Sequence, residues 1–351
     1  MDIMVSAYLD NNIGDDLMIT LMARRFPEHR FLLYSDSSVV RHTYRGIPNA
    51  VIRKPSDWDQ DVKTAGAHVT IGGSLFQVTT RSQMIWRMKR IRRLARLRRR
   101  KLRIATIGSN FGPYSGKAGV KLTEWELRKN DLVTVRDREA LGFLEGFRRV
   151  RNFHMADDIV YNLDWQDKIP DRQGLGISVY RSVRGGESNF QNYAALARVA
   201  DRYIQTTGKP VRLLAFDSER ENDLSAAHHI VNLAKEKDKL QIVPYLGDQD
   251  RFLREFSACE QMIAIRFHSA ILADALKIPF LPVAYSNKMF NLMEDRQYEG
   301  RILALSDLDE SLDEAGMVKQ LLDPGALFSS FLEGRGNASD HFDRLEELLD
   351  S

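Results

Sequence analysis

Residues 261–288, QMIAIRFHSAILADALKIPFLPVAYSNK, decide the fold. An apolar run closes at Arg266, a short turn carries Phe267 and His268, and from Ser269 the apolar residues of SAILADALK recur at helical spacing. A second apolar run, FLPVAYS, follows directly. Strand, turn, helix and strand at this pitch make a parallel α/β unit.

The same rhythm extends upstream. LGISVYR (175–181), VRLLAFD (211–217) and QIVPYLG (241–247) read as strands, and NYAALARVADRYIQTT (192–207) as a helix. In the first half the strands are IMVSAYL (3–9), HVTIGG (68–73), RIATIGS (103–109) and DLVTVRD (131–137), with a more ambiguous RFLLYSD (30–36). Between the halves LDWQDKIPDRQG (163–174) breaks the rhythm as a linker would. The expected division is therefore 1–165, 173–325 and a C-terminal helical segment 326–351 that packs across both domains.

Composition fits this reading. The 351 residues are 43% hydrophobic and 28% charged, the balance of a folded globular chain of two domains. A single cysteine, Cys259, excludes an internal disulfide, and its apolar flanks favour a packed thiol over a nucleophile. The N-terminus lacks the basic and apolar regions of a secretory signal, and no stretch is apolar for the roughly 18 residues a membrane span needs. A cytoplasmic protein is expected. There is no Cys pair, and His228 and His229 are adjacent and so not on one helix face; no G-x-G-x-x-G or P-loop is present. Neither a metal nor a nucleotide cofactor is expected.

In parallel sheets ligands bind beyond the carboxyl ends of strands. After the first strand come Asn12, Gly14, Asp15 and Asp16, where Asp15 either caps the next helix or serves as a base, and Asp16 is first-turn charge. Gly72-Gly73-Ser74 and Gly108 follow two further strands and would let a ligand approach the backbone, or simply make tight turns. Arg136 would face the same edge, with Asp137 capping the helix behind it. In the second half Arg181, Arg266 and Lys288 lie at the ends of three strands of one domain, with Tyr285 and His268, and Ser269 is placed to cap a helix. Three cations and a titratable imidazole at one sheet edge point to an anionic ligand.

The ordered set N-x-G-D-D (12–16), Gly-Gly-Ser (72–74), G-x-x-x-G-P (108–113), R-D (136–137), R-F-H (266–268) and Y-x-x-K (285–288) resembles the polysaccharide pyruvyl transferase family. The resemblance runs from about residue 10 to 290. Here R-F-H stands for the family's R-L-H, G-D-D for G-D-E, Gly-Gly-Ser for three glycines, and Ala140 for a frequent serine. The resemblance implies two Rossmann-like domains facing a cleft, as in GT-B enzymes, and phosphoenolpyruvate as co-substrate. It implies transfer of the pyruvyl group to sugar hydroxyls of a surface polysaccharide or its lipid-linked precursor. Arg266, His268 and Arg181 would be donor and catalytic residues, with His268 as general acid. A GT-B glycosyltransferase using a nucleotide-sugar and a non-catalytic polysaccharide assembly factor are the alternatives.

One segment stands outside this pattern. Residues 81–103 hold twelve Lys and Arg and no Asp or Glu. Met84, Met88, Ile91 and Ala95, broadened by Ile85, Trp86, Leu94 and Leu97, give it an apolar helical face. A cationic amphipathic helix of this kind suits an anionic membrane surface and peripheral attachment at the inner face of the cell membrane. Packing on its own domain is the other reading. Nucleic acid is not expected, because no recognised binding module accompanies the run.

Overall fold

The computed structural model describes residues 1–73, 75–181, 186–328 and 337–351. They form two compact units. The first comprises residues 1–9, 15–162 and 335–351, and the second residues 10–14 and 163–334.

In the first unit the strands are β1 (Asp2–Ser6), β2 (Arg30–Tyr34), β3 (Ala50–Arg53), β4 (Ala67–Ile71), β5 (Phe76–Val78), β6 (Arg103–Ser109), β7 (Phe111–Tyr114), β8 (Leu132–Val135) and β9 (Phe153–Met155). Seven of them make one sheet in the order β3-β2-β1-β4-β6-β8-β9, every neighbour parallel. β5 and β7 pair separately. The second unit repeats the plan with β10 (Leu175–Val179), β11 (Val211–Ala215), β12 (Leu240–Pro244), β13 (Gln261–Ala264), β14 (Phe280–Ala284) and β15 (Leu303–Ala304) in the order β12-β11-β10-β13-β14-β15. Its neighbours are also parallel. Helices cover parallel sheets on both faces, so central strands such as β10 and β14 are buried at every residue.

The helices are α1 (Ile13–Arg25), α2 (Ser38–Thr43), α3 (Trp58–Asp61), α4 (Arg81–Arg99), α5 (Lys117–Leu127), α6 (Arg138–Glu145), α7 (Gly186–Thr207), α8 (Asp223–Leu233), α9 (Gln249–Ser257), α10 (Phe267–Ala275), α11 (Asn287–Asp295), α12 (Glu314–Leu321) and α13 (Asp340–Asp350). Among the described residues no helix is long and apolar enough to cross a membrane.

The chain order of each sheet reverses once, between β1 and β4 and between β10 and β13. These are the switch points where crevices open beyond the strand ends. Ser6 and Gly72 flank the first, and Tyr180 and Arg266 the second.

Three expectations change. RFLLYSD does contain a strand, β2, and the short strands β3 and β9 extend the sheet beyond what periodicity indicated. Residues 163–174 do not form a loose linker, because Trp165 is fully buried and its indole N–H donates to Ser257 at 3.3 Å. The segment 326–351 is not separate: α13 packs on β6 and β8, and residues 335–351 belong to the first unit. His341 fixes it there, its two ring nitrogens bonding Thr134 Oγ1 at 2.6 Å and the Asp157 carbonyl at 2.8 Å.

Helix α4 gives the basic run a packed face and an exposed one. Thr80 and Gln83 form a reciprocal capping box at its start. Its inner face carries Arg87, Arg90, Leu94 and Leu97, all buried. Arg87 and Arg90 both bond the buried Glu126 of α5, the first at 2.7 Å, and Arg87 lies over the Phe76 ring. Leu94 and Leu97, expected on a membrane face, sit in the core with Met4 and Ile104. The outer face keeps Ile85, Trp86 and Met88 exposed, at 57%, 49% and 46%, among arginines.

Candidate active site

The second unit assembles the stronger group. Ser178 on β10 fixes the turn between β13 and α10: its hydroxyl accepts from the backbone N–H of Ile265 at 2.7 Å and of Arg266 at 3.1 Å, and meets Ser269 Oγ at 2.8 Å. Ser269 is fully buried and donates to the Arg266 carbonyl. It therefore locks the turn from below and neither caps α10 with its side chain nor faces a ligand, contrary to expectation.

Arg266 leaves this turn only 6% exposed. Its guanidinium grips Asp223 through two nitrogens and Glu221 through a third, and lies 4.6 Å from the Tyr180 ring centroid. Tyr180 stacks in turn on Tyr285, centroids 4.2 Å apart. Burial disfavours the Arg266 charge, but the Asp223 and Glu221 carboxylates outweigh that and hold its pKa above the ordinary guanidinium value. Burial also pushes the Tyr285 phenol up to about 12, so it stays a neutral donor near pH 7. Asp223 further accepts from the backbone N–H of Arg181 at 3.1 Å, tying the end of β10 to the start of α8. The Arg181 side chain is exposed, and Lys288, in the first turn of α11, is half-buried.

His268, one residue beyond the turn, is half-buried and abuts Gly14. A Cβ on Gly14 would fall onto the imidazole, so only glycine admits this approach. Residues 10–14 belong to this unit: Asn12 bridges to Asp217, and the Ile13 N–H donates to the Phe216 carbonyl at 3.2 Å. The Asn12 side chain accepts from the Gly14 N–H at 3.1 Å at the start of α1.

The first unit holds the remaining candidates. Asp15 lies in the first turn of α1, near Gly72, whose φ of +119° is open to glycine but strained for other residues. Asp16 is more than first-turn charge, being buried and accepting from the Tyr44 hydroxyl at 2.6 Å. Arg136 is buried against Asp158 at 2.6 Å and Asn110 at 3.2 Å, directly beneath Gly73. It braces the glycine turn from inside instead of presenting its charge to a ligand. Gly108 is likewise a packing position, closed over by Ile159. Ser74 lies outside the described residues. Asp137 caps α6 as expected, accepting from the Ala140 N–H at 2.7 Å. Cys259 is a packed thiol, pushed by burial up to about 12.

Sequence reasoning missed Asp223, Glu221 and Ser178. A signal for the first two was available, since residues 217–223 after β11, DSEREND, carry four acids at a strand's carboxyl end.

A model of the polysaccharide pyruvyl transferase family matches residues 12–287, from the Asn12 cap to the first turn of α11. The chain belongs to this family. It is a transferase by family, and the residues of the R-F-H turn lie inside the matched region. A sequence search of curated proteins returns no match.

Among solved structures, UDP-GlcNAc 2-epimerase from Methanocaldococcus jannaschii aligns at a TM-score of 0.64 and 9% identity over 99% of each chain. Alr3699/HepE from Anabaena, in complex with UDP-glucose, aligns at 0.61 and 11% over 99% of each. MnaA from S. aureus, with UDP, aligns at 0.59 and 10% over 100% of this chain and 98% of that one. At such identities the likeness concerns the fold, which is the expected α/β, GT-B type.

Proposed function

We propose that this pyruvyl transferase uses phosphoenolpyruvate as donor and forms a pyruvate ketal on a pair of sugar hydroxyls. The observation that carries the reading is the arrangement of the R-F-H turn. A buried, permanently charged Arg266 is rigidly held beside the Tyr180–Tyr285 stack, and His268 follows it against Gly14.

A donor bearing a carboxylate and a phosphate needs fixed cations and donors first. Arg181 and Lys288 supply charge at the strand ends, and Tyr285 a neutral hydroxyl. Arg266 is already balanced by two carboxylates, so its part is to set the turn, and to meet a donor oxygen only where Glu221, partly exposed, yields its place.

His268 delivers a proton to the methylene carbon, making a methyl group and a cationic centre at the neighbouring carbon. One sugar hydroxyl adds there and passes its proton to the now neutral His268 imidazole; phosphate then departs with the carbon–oxygen bond electrons. The second hydroxyl closes the ketal, and its proton leaves with the phosphate. The same imidazole is suited to serve the leaving phosphate.

We further propose attachment of the enzyme to an anionic membrane through the outer stripe of α4, where Ile85 and Met88 stand among Arg81, Arg92 and Arg99. This would bring it to a lipid-linked acceptor.

The deciding experiment measures phosphoenolpyruvate consumption and phosphate release by the purified protein with a lipid-linked saccharide extract of its host. Acceptor-dependent consumption is expected, falling on the order of 100- to 10,000-fold in His268→Ala. Consumption of a UDP-sugar in place of phosphoenolpyruvate, or full turnover in a folded His268→Ala protein, would overturn the reading.

A further inference from the structure

A cavity of about 420 Å³ opens in the first unit beneath α4, beyond the carboxyl ends of β1 and β2. Its walls combine three kinds of chemistry. Trp58 and Trp86 offer flat aromatic faces, Trp86 on the exposed side of the helix. Lys89 and Arg93, one turn apart on α4, are exposed cations, and among the described residues neither has a salt-bridge partner. Arg93 lies 5.3 Å from the Trp58 ring centroid, which orients it without neutralising it. At the floor Ser6 and His68 are hydrogen-bonded at 2.9 Å, and the other ring nitrogen of His68, though buried, has no partner among the described residues. Among the described residues no carboxylate lines the cavity.

Each feature selects a part of a ligand. Indole faces suit the apolar C–H face of a sugar ring. A hydroxyl–imidazole pair reads sugar hydroxyls, and a buried imidazole nitrogen without a partner calls for one. Unbalanced cations call for an anion, and lysine and arginine together suit phosphate oxygens. The volume falls within the range of small-molecule sites.

We propose that this cavity binds the acceptor of the transfer reaction as a saccharide carrying a phosphate or pyrophosphate group, the phosphate on Lys89 and Arg93 and the sugar between the tryptophans and the Ser6–His68 pair. The assignment rests on the pyruvyl-transfer reading in calling this ligand the acceptor; the binding itself does not.

The test is calorimetry on the full-length protein. The probes are the 1-phosphates of glucose, galactose, mannose and N-acetylglucosamine, the same sugars without phosphate, inorganic phosphate, and phosphoenolpyruvate. At least one sugar phosphate should bind saturably, and its free sugar at least about 10-fold more weakly. Lys89→Ala/Arg93→Ala, both exposed positions, should weaken that binding on the order of 10- to 100-fold and leave phosphoenolpyruvate affinity unchanged. Trp86→Ala should weaken it severalfold. Failure of every sugar phosphate to bind below roughly 10 mM, or equal binding by the double variant, overturns the proposal. So does inorganic phosphate binding as tightly as the sugar phosphates, or loss of phosphoenolpyruvate affinity in the double variant. If phosphoenolpyruvate alone fails to bind the wild type, the donor reading falls while this site stands.

Discussion

His268 has no slack on the side of Gly14, and on the proposed mechanism this makes a glycine in the first turn of α1 a functional position. Elsewhere in a helix interior Gly→Ala stabilises by roughly 1 kcal/mol. At Gly14 the added methyl must displace the imidazole, so Gly14→Ala should retain its thermal midpoint within a few degrees while turnover falls on the order of 100-fold, as for a reacting group moved by about 1 Å. Wild-type turnover in that variant would mean that His268 owes nothing to the contact. The R-F-H turn was legible in sequence because its residues are consecutive at the end of a strand. The roles of Ser178, Glu221 and Asp223 were not, because they reach Arg266 from 88, 45 and 43 residues away. Nothing local marks Ser269 as a lock within the turn or Arg136 as a brace.

The central strands were readable from their continuous apolar runs, since both faces are covered. β3 and β9 were not, because strands of four and three residues with none of them buried carry no period. Helix α4 shows a different limit. Periodicity identified a helix but could not say which face packs, because the buried charge of Arg87 and Arg90 is matched by Glu126, 39 and 36 residues away. Removing a single partner from a buried ionic group leaves its charges uncompensated, so Glu126→Ala should lower stability by about 3 to 5 kcal/mol in urea unfolding. A loss below about 1 kcal/mol would show that the triad does not hold α4 down. The opposite face has its own test in vesicle sedimentation. The protein should pellet with anionic but not neutral vesicles at moderate salt, and Ile85→Ser/Met88→Ser should stay in the supernatant. Equal recovery with both vesicle types would remove the membrane from the account.

For the molecule as a whole, acid is the condition to which its stability responds. Burial holds His341 down at about 4 and His68, with help from Arg90, at about 3, both from an ordinary 6.5. Each is neutral when folded and binds a proton more readily when unfolded, so its contribution is complete above pH 6.5 and is lost as pH falls toward the folded value. Between pH 7 and pH 5 each imidazole should cost on the order of 2 kcal/mol of stability. His341→Gln, which can keep a donor to the Asp157 carbonyl, should show the smaller drop in urea midpoint over that interval. An equal drop in both proteins would assign the acid sensitivity elsewhere.

The return of residues 335–351 to the first unit also sets an order of events during synthesis. The sheet that begins with β1 lacks α13 against β6 and β8 until the last helix has left the ribosome, whereas the unit built from 163–334 is by then fully translated. The half of the chain translated first is thus the half completed last. A chain stopped before α13 would carry a finished second unit beside a first one with part of its core uncovered, and so be exposed to proteolysis there.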